Sequence, residues 1–103
     1  MKRKTYATVR RYENVKDTVA ASKKVDELFV PLISALPGFV EYYWIDLGSG
    51  AMVSITIFET LSDAIDANEK SRTWVKDHLS SVLAPPIRSE AGIVLAHKEM
   101  DRS

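Results

Sequence analysis

The chain has 103 residues, 46% of them hydrophobic, and it contains no cysteine. Fourteen lysine and arginine residues balance fourteen aspartate and glutamate residues, so the formal net charge is zero. This length is enough for one hydrophobic core, and we expect a single domain over residues 1–103. The balanced charge argues against a nucleic-acid-binding protein, and the lack of cysteine excludes disulfides, thiolate catalysis and cysteine-ligated zinc.

Targeting signals are missing from the sequence. No stretch reaches the roughly 18 consecutive apolar residues of a membrane-spanning helix. The basic start of the chain leads into an alternating segment and not into the apolar run of a secretory signal. We therefore expect a cytoplasmic protein that binds no membrane.

The first third of the chain predicts a strand and a long helix. Thr5–Tyr12 alternates and is rich in Thr, Val and Tyr, which is typical of a strand. Thr18–Leu36 follows the helical period, with Asp17 or Thr18 as the N-cap. Pro31 lies on the outer face of this helix, where it predicts a kink and not a break.

The remaining elements complete the pattern βαββαβ. Phe39–Asp46 and Met52–Glu59 are predicted strands around a glycine-rich turn, which indicates an antiparallel hairpin. Ser62 is the expected N-cap of a second helix from Asp63 to about Leu83. The last strand lies within Ile87–Lys98, centred on residues 92–96. This order predicts an α+β ferredoxin-like sandwich.

The predicted sheet is apolar on both faces, whereas a sheet with helices on one side normally alternates. Alternation on the first hairpin strand places Phe39, Tyr43 and Ile45 on one face and Val40, Tyr42 and Trp44 on the other. On the second hairpin strand it places Val53, Ile55 and Ile57 on one face and Met52, Ser54, Thr56 and Phe58 on the other. An exposed apolar face of this size would be an aggregation liability or a partner site. The simplest cover is a second copy, so we expect a homodimer through the sheet face.

Several segments carry a family resemblance. Leu36–Phe39 before an aromatic strand, the strand Val53–Glu59 and the pair Trp74-Val75 resemble the antibiotic biosynthesis monooxygenase-like family of the dimeric α/β-barrel superfamily. The resemblance covers about residues 5–98. It implies two protomers whose sheets form a barrel, with a small-molecule pocket between each sheet and its helices. Some members are cofactor-free oxygenases of aromatic polyketides, which implies an aromatic or phenolic ligand and no cofactor.

The second helix carries the first candidate site. Its expected core stripe consists of Leu61, Ala64, Ile65, Val75, Leu79, Val82 and Leu83. Asn68 interrupts this stripe near Ser71, and Trp74 and His78 are four residues apart on one edge. On the functional interpretation, Asn68 and Ser71 line a pocket, Trp74 forms its wall and His78 transfers a proton. On the alternative, Asn68 bonds the facing backbone and Trp74 fills the core.

The strands carry the second candidate site. Phe39 and Tyr43 are the expected ligand-binding residues of the strands. The run Tyr42–Trp44 either packs in the core and the dimer interface or forms a flat aromatic wall for a planar ligand. On the first strand, Ala7 and Val9 look like the helix-facing pair, which turns Arg10 towards the partner sheet. Arg10 would then pair with a carboxylate, Glu41 or Glu90, or lie half-solvated at the barrel rim. We favour the rim.

Two functional hypotheses remain open. The histidines and acidic residues have no metal-ligand spacing, and no phosphate loop or nucleophile elbow is present. The first hypothesis is a homodimeric, cofactor-free monooxygenase in which His78 is the base while Trp74 and Asn68 position the ligand. The second is a non-catalytic ligand-binding or structural dimer.

Overall fold

The computed structural model describes residues 4–99, which form a four-stranded sheet covered by helices on one side. The elements are β1 (Tyr6–Tyr12), α1 (Thr18–Lys24), a π-helical segment (Val25–Phe29), α2 (Val30–Ser34), β2 (Phe39–Gly48), β3 (Ala51–Phe58), α3 (Leu61–His78) and β4 (Arg88–Ile93). All pairings are antiparallel, in the order β2-β3-β1-β4. The predicted ferredoxin-like α+β fold is confirmed. Among the described residues, no helix has the length and apolar character required to cross a membrane.

The first helix begins as predicted and accommodates its proline by widening. Asp17 is the N-cap, and its Oδ1 accepts a hydrogen bond from the Ala20 N–H at 2.9 Å. Pro31 has no N–H and its ring crowds the carbonyl four residues earlier. The preceding turn is a π-helix, in which the Val30 N–H reaches back five residues to the Val25 carbonyl. The expected kink is thus a π-helical turn just before the proline.

The second helix differs from the prediction at both ends. It begins at Leu61, because the Thr60 hydroxyl, and not Ser62, accepts the Asp63 N–H at 3.1 Å. It ends at His78, five residues before the predicted Leu83. A separate turn, closed by the Leu83 N–H and the Leu79 carbonyl at 2.8 Å, keeps both leucines in the core.

The buried face of α3 is narrower than the predicted stripe. Leu61 and Ile65 were expected in the core, yet they are 49% and 56% exposed. The side chains that face the sheet are small or β-branched: Ala64, Ala67, Ser71 and Val75. Small side chains bring the helix close to β1 and β3, so the larger residues beside them remain outside.

The last strand is shorter than predicted. Ile93 pairs with Tyr6, which is the first residue of β1, and the Val94 N–H donates to the Thr5 carbonyl at 2.9 Å. Beyond this point the strand has no partner backbone within the described residues. The predicted centre at residues 92–96 is therefore wrong, and Leu95 is 88% exposed.

The faces of β1 are the reverse of the prediction. Thr8, Arg10 and Tyr12 are buried beneath the helices, while Val9 lies on the open face. On the adjacent strand, Met52, Ser54, Thr56 and Phe58 also face the helices, and Val53, Ile55 and Ile57 face away. The sheet therefore presents its polar central residues to the interior and its valine and isoleucine residues to the open side.

A bulge in β2 changes which aromatic residues share a face. Phe39 pairs with Phe58 and Glu41 pairs with Ile57, so Val40 is an extra residue on this strand. The bulge places Phe39 on the helix-facing side with Tyr42 and Trp44. The expectation that Phe39 shares a face with Tyr43 and Ile45 is therefore wrong.

Candidate functional site

A polar cluster lies in the interior, where the centre of the sheet meets α3. Thr8, Arg10, Ser54 and Thr56 are all buried, and the register sets Thr8 opposite Thr56 and Arg10 opposite Ser54. Ser71 of α3 is buried above them. No side-chain nitrogen or oxygen that is fully buried within residues 4–99 lacks a hydrogen-bond partner. The cluster is thus a satisfied polar network in a position that normally holds apolar side chains.

Arg10 and Asn68 form the centre of this cluster. The Arg10 Nε–H donates to Asn68 Oδ1 at 3.0 Å, and Nη2 donates to the Asn68 main-chain oxygen at 2.7 Å and also to Oδ1. Arg10 is 7% exposed. The predicted position at a half-solvated rim is therefore wrong, and so are the partners Glu41 and Glu90, whose strand positions belong to the open face.

Two tyrosines border the cluster. Burial raises the pKa of the Tyr12 phenol, and the charge of Arg10 and a hydrogen bond with it oppose this increase only in part. Burial also raises the pKa of the Tyr42 phenol, with an added increase from Tyr12 and smaller decreases from Arg10 and a hydrogen bond with Ser54. Both phenols are therefore neutral at physiological pH.

Aromatic rings surround the polar cluster. Phe29 of the π-helical segment contacts Tyr42 and Trp74, with ring centroids 5.4 and 5.6 Å apart. Tyr12 contacts Trp44 at 5.5 Å. The Trp44 Nε1–H donates to the Ser22 hydroxyl at 3.0 Å, which ties β2 to α1. Such rings can stack against a flat aromatic ligand.

The interior is closed, but a groove lies next to it. Two cavities of about 10 Å³ each border the cluster, which is about enough for one water molecule. An open groove of about 650 Å³ runs between the first helix and β2. Val25, Tyr42 and Trp44 line both this groove and one of the small cavities. Movement of these three side chains would connect the groove with the polar cluster.

The four predicted residues of the second helix border two different spaces. Asn68 and Ser71 border one small cavity together with Arg10. Trp74 and His78 border an outer groove of about 480 Å³, where their rings lie 4.8 Å apart. Asn68 and His78 are separated by ten residues, about 15 Å along the helix axis. The structure therefore does not bring the four residues to one cavity.

The two predicted strand residues lie on opposite faces of β2. Phe39 packs edge-on against Phe58, with centroids 6.0 Å apart, on the helix-facing side. Tyr43 is 47% exposed on the open face, and its hydroxyl donates to the Glu41 carboxylate. Both border the groove of about 650 Å³ because this groove follows the edge strand.

Sequence reasoning missed Arg10, Tyr12, Ser54 and Thr56 as interior site residues. A signal was present, because Met52–Phe58 alternates between an outer set of isoleucine and valine and an inner set with two hydroxyls at its centre. Arg10 is the cross-strand neighbour of one of these hydroxyl residues. Within residues 4–99, no group of three or more His, Cys, Asp or Glu side chains could hold a metal ion.

Comparison with known proteins finds the same fold at low sequence identity. A protein of unknown function from Nitrosomonas europaea superposes with a TM-score of 0.75 and 19% identity, over 96% of this chain and 97% of the other. A mutant of SnoaB, a cofactor-independent oxygenase from Streptomyces nogalater, gives a TM-score of 0.65 and 17% identity, over 93% and 96%. A monooxygenase from Streptomyces coelicolor in complex with the ligand nanaomycin D gives 0.60 and 13%, over 97% and 92%.

Sequence comparison finds no matching family model and no significant match among curated proteins. At sequence identities this low, the similarity to the solved structures shows a shared fold. The chain has the fold of antibiotic biosynthesis monooxygenase-like proteins, in agreement with the resemblance in its sequence.

Proposed function

We propose that this protein is a homodimeric, cofactor-free monooxygenase of aromatic or phenolic small molecules. The observation that carries the proposal is the polar cluster around Arg10 and Asn68, ringed by aromatic side chains and separated from an open groove by Tyr42 and Trp44. A purely structural core would hold apolar residues at these positions. The shared fold with a cofactor-independent oxygenase supports this chemistry but does not by itself assign it.

The proposed reaction needs only the ligand and molecular oxygen. In an anthrone-type ligand, a methylene carbon loses two hydrogens and gains one oxygen atom as a carbonyl. The second oxygen atom leaves as water with the two hydrogens, and the ligand supplies all four electrons. The protein would orient the ring, exclude water and favour the electron-rich ionised form.

The proposed roles follow from position. Asn68 and Ser71 are within reach of a ligand that enters the cluster, because they border its cavity. Trp74 supports this site through Phe29, whose ring it contacts. Phe39 and Tyr43 contribute to the walls of the outer groove. His78 is too far from Asn68 to exchange a proton with a ligand there, and we assign it no role in the cluster.

The homodimer is proposed from the open face of the sheet. Ile55 lies at the centre of this face, between Val9 on β1 and Tyr43 on β2. Val9 and Tyr43 are exposed, and none of the helices within residues 4–99 covers them. A second copy that presents the same face would bury this apolar strip, whereas a monomer would leave it in water.

Oxygen uptake with an anthrone tests the activity against the non-catalytic alternative. We expect consumption of one O₂ for each quinone formed, at a rate above that of the anthrone alone. Asn68→Ala should reduce the rate, whereas Thr73→Ala, an exposed change on the same helix, should not. A protein that binds the anthrone without accelerating its oxidation would instead be a ligand-binding dimer.

A further inference from the structure

Arg10 holds a buried positive charge. Its side chain lies on the helix-facing side of β1, and the residue is 7% exposed. Arginine side chains carry a permanent positive charge in proteins. Removing such a charge from water is costly unless an opposite charge compensates for it, and buried arginines are therefore normally paired with carboxylates.

No carboxylate within residues 4–99 forms an ion pair with Arg10. The ion pairs between described side chains join Arg11 with Glu13, Glu69 with Arg72 and Arg88 with Glu90. Arg10 instead donates to two oxygens of Asn68, one in the side chain and one in the main chain. An amide oxygen satisfies the hydrogen bonds but carries no net charge, so no side chain in the described part of the chain neutralises Arg10.

The other neighbours are neutral as well. Burial keeps the phenols of Tyr12 and Tyr42 protonated, since it raises the pKa of both. Ser54, directly opposite Arg10 in the sheet, contributes a hydroxyl. Tyr12, whose phenol forms a side-chain hydrogen bond with Arg10, also contributes a hydroxyl.

We propose that the interior site takes an aromatic anion, a phenolate, enolate or carboxylate, whose charged oxygen binds the Arg10 guanidinium. This inference rests on the proposed function and names the charge state of its ligand. Asn68 is a positioning residue, because it holds the guanidinium plane through hydrogen bonds from Nε and Nη2. The ligand reaches Arg10 from the groove when Tyr42 and Trp44 move aside, since these two side chains border both spaces.

Two ligands of nearly the same shape, one charged and one neutral, test whether the site prefers an anion. The anion 2-naphthoate and its neutral amide, 2-naphthamide, share one ring system, and isothermal titration calorimetry measures both on the whole protein at pH 7. We expect the naphthoate to bind about tenfold or more tightly than the amide, as a charge-assisted hydrogen bond would give. Equal affinity for the two probes overturns this inference but leaves the aromatic pocket. Binding of neither probe overturns the pocket as well.

Asn68→Asp tests the role of Arg10 directly. The new carboxylate keeps both acceptor oxygens in place and neutralises the guanidinium, so the affinity for naphthoate should fall to that for naphthamide. Thr73→Asp adds the same charge at an exposed position of α3 and should leave the preference unchanged. Naphthoate affinity that survives in a folded Asn68→Asp protein overturns the assignment. If the Asn68→Asp protein does not fold, the naphthoate and naphthamide affinities of the unaltered protein still test whether the site prefers an anion.

Discussion

Asn68 on α3 accepts hydrogen bonds from the Arg10 guanidinium of β1 through two oxygens. Its Oδ1 lies 3.0 Å from Nε, and its main-chain oxygen lies 2.7 Å from Nη2. This pair joins β1, one of the two central strands of the sheet, to α3. It also keeps a charged group in the interior with neutral partners. The pair therefore has consequences for stability as well as for ligand binding.

Truncation of Asn68 should destabilise the fold. Asn68→Ala removes the side-chain acceptor and leaves part of the Arg10 guanidinium buried without a partner, which costs about 3 kcal/mol. Urea unfolding followed by circular dichroism measures the loss. The exposed change Thr73→Ala on the same helix should stay within about 0.5 kcal/mol of the parent. Equal stabilities of the two variants would contradict a structural role for the pair.

Alkaline pH should destabilise the protein through Tyr42. In the unfolded chain its phenol ionises near pH 10, roughly the ordinary tyrosine pKa, whereas burial raises this pKa in the folded protein. Below about pH 10 both states are protonated and the stability is full. Above it the unfolded state loses its proton first, so the free energy of unfolding falls as the pH rises.

Denaturant unfolding of Tyr42→Phe across this range provides the check. The variant has no phenol to ionise at this position, so its stability should decline less steeply between about pH 9 and 11 than that of the parent. Tyr12→Phe should act in the same direction, because burial raises that pKa as well. Identical slopes in all three proteins would show that neither phenol is protected from ionisation.

A charge at the centre of the open face should separate the proposed dimer. Ile55→Lys places an ammonium between Val9 and Tyr43, where a second copy would bury it. Light scattering after size exclusion should give twice the chain mass for the parent and the chain mass for the variant. Ile65→Lys is the control, since Ile65 is an exposed isoleucine of α3. A monomeric parent at micromolar concentration would refute the dimer.

The turn before β2 requires glycine for two reasons, which a pair of variants can separate. Gly38 has a φ of +77°, and a Cβ there would overlap the Asp63 carboxylate. Gly48 has a φ of +87°, but no atom lies within 4 Å of its Cβ position. Gly48→Ala should cost about 1 kcal/mol for the backbone alone. Gly38→Ala should cost more in thermal unfolding, and equal costs would show that Asp63 moves aside freely.

The local features of this fold could be predicted from the sequence because they depend on neighbouring residues. The Asp17 cap, the glycine turn of the hairpin and the order βαββαβ each follow from residues a few positions apart. The face of the sheet that lies beneath the helices was harder to predict. Alternation separates Ser54 from Ile55, but it does not say which of the two sets lies beneath the helices, and here the polar set does.

The candidate site was only partly predictable for the same reason. The sequence singled out Asn68 as a polar residue among apolar ones, but its partner Arg10 lies 58 residues away. The bulge at Val40, which sends Phe39 to the opposite side from Tyr43, depends on the pairing with β3. The sequence by itself thus determined the elements, their order and the apolar surplus on the strands. Only the tertiary structure decided which face was buried, because burial of Arg10 becomes tolerable only when a second element supplies oxygens at the right distance.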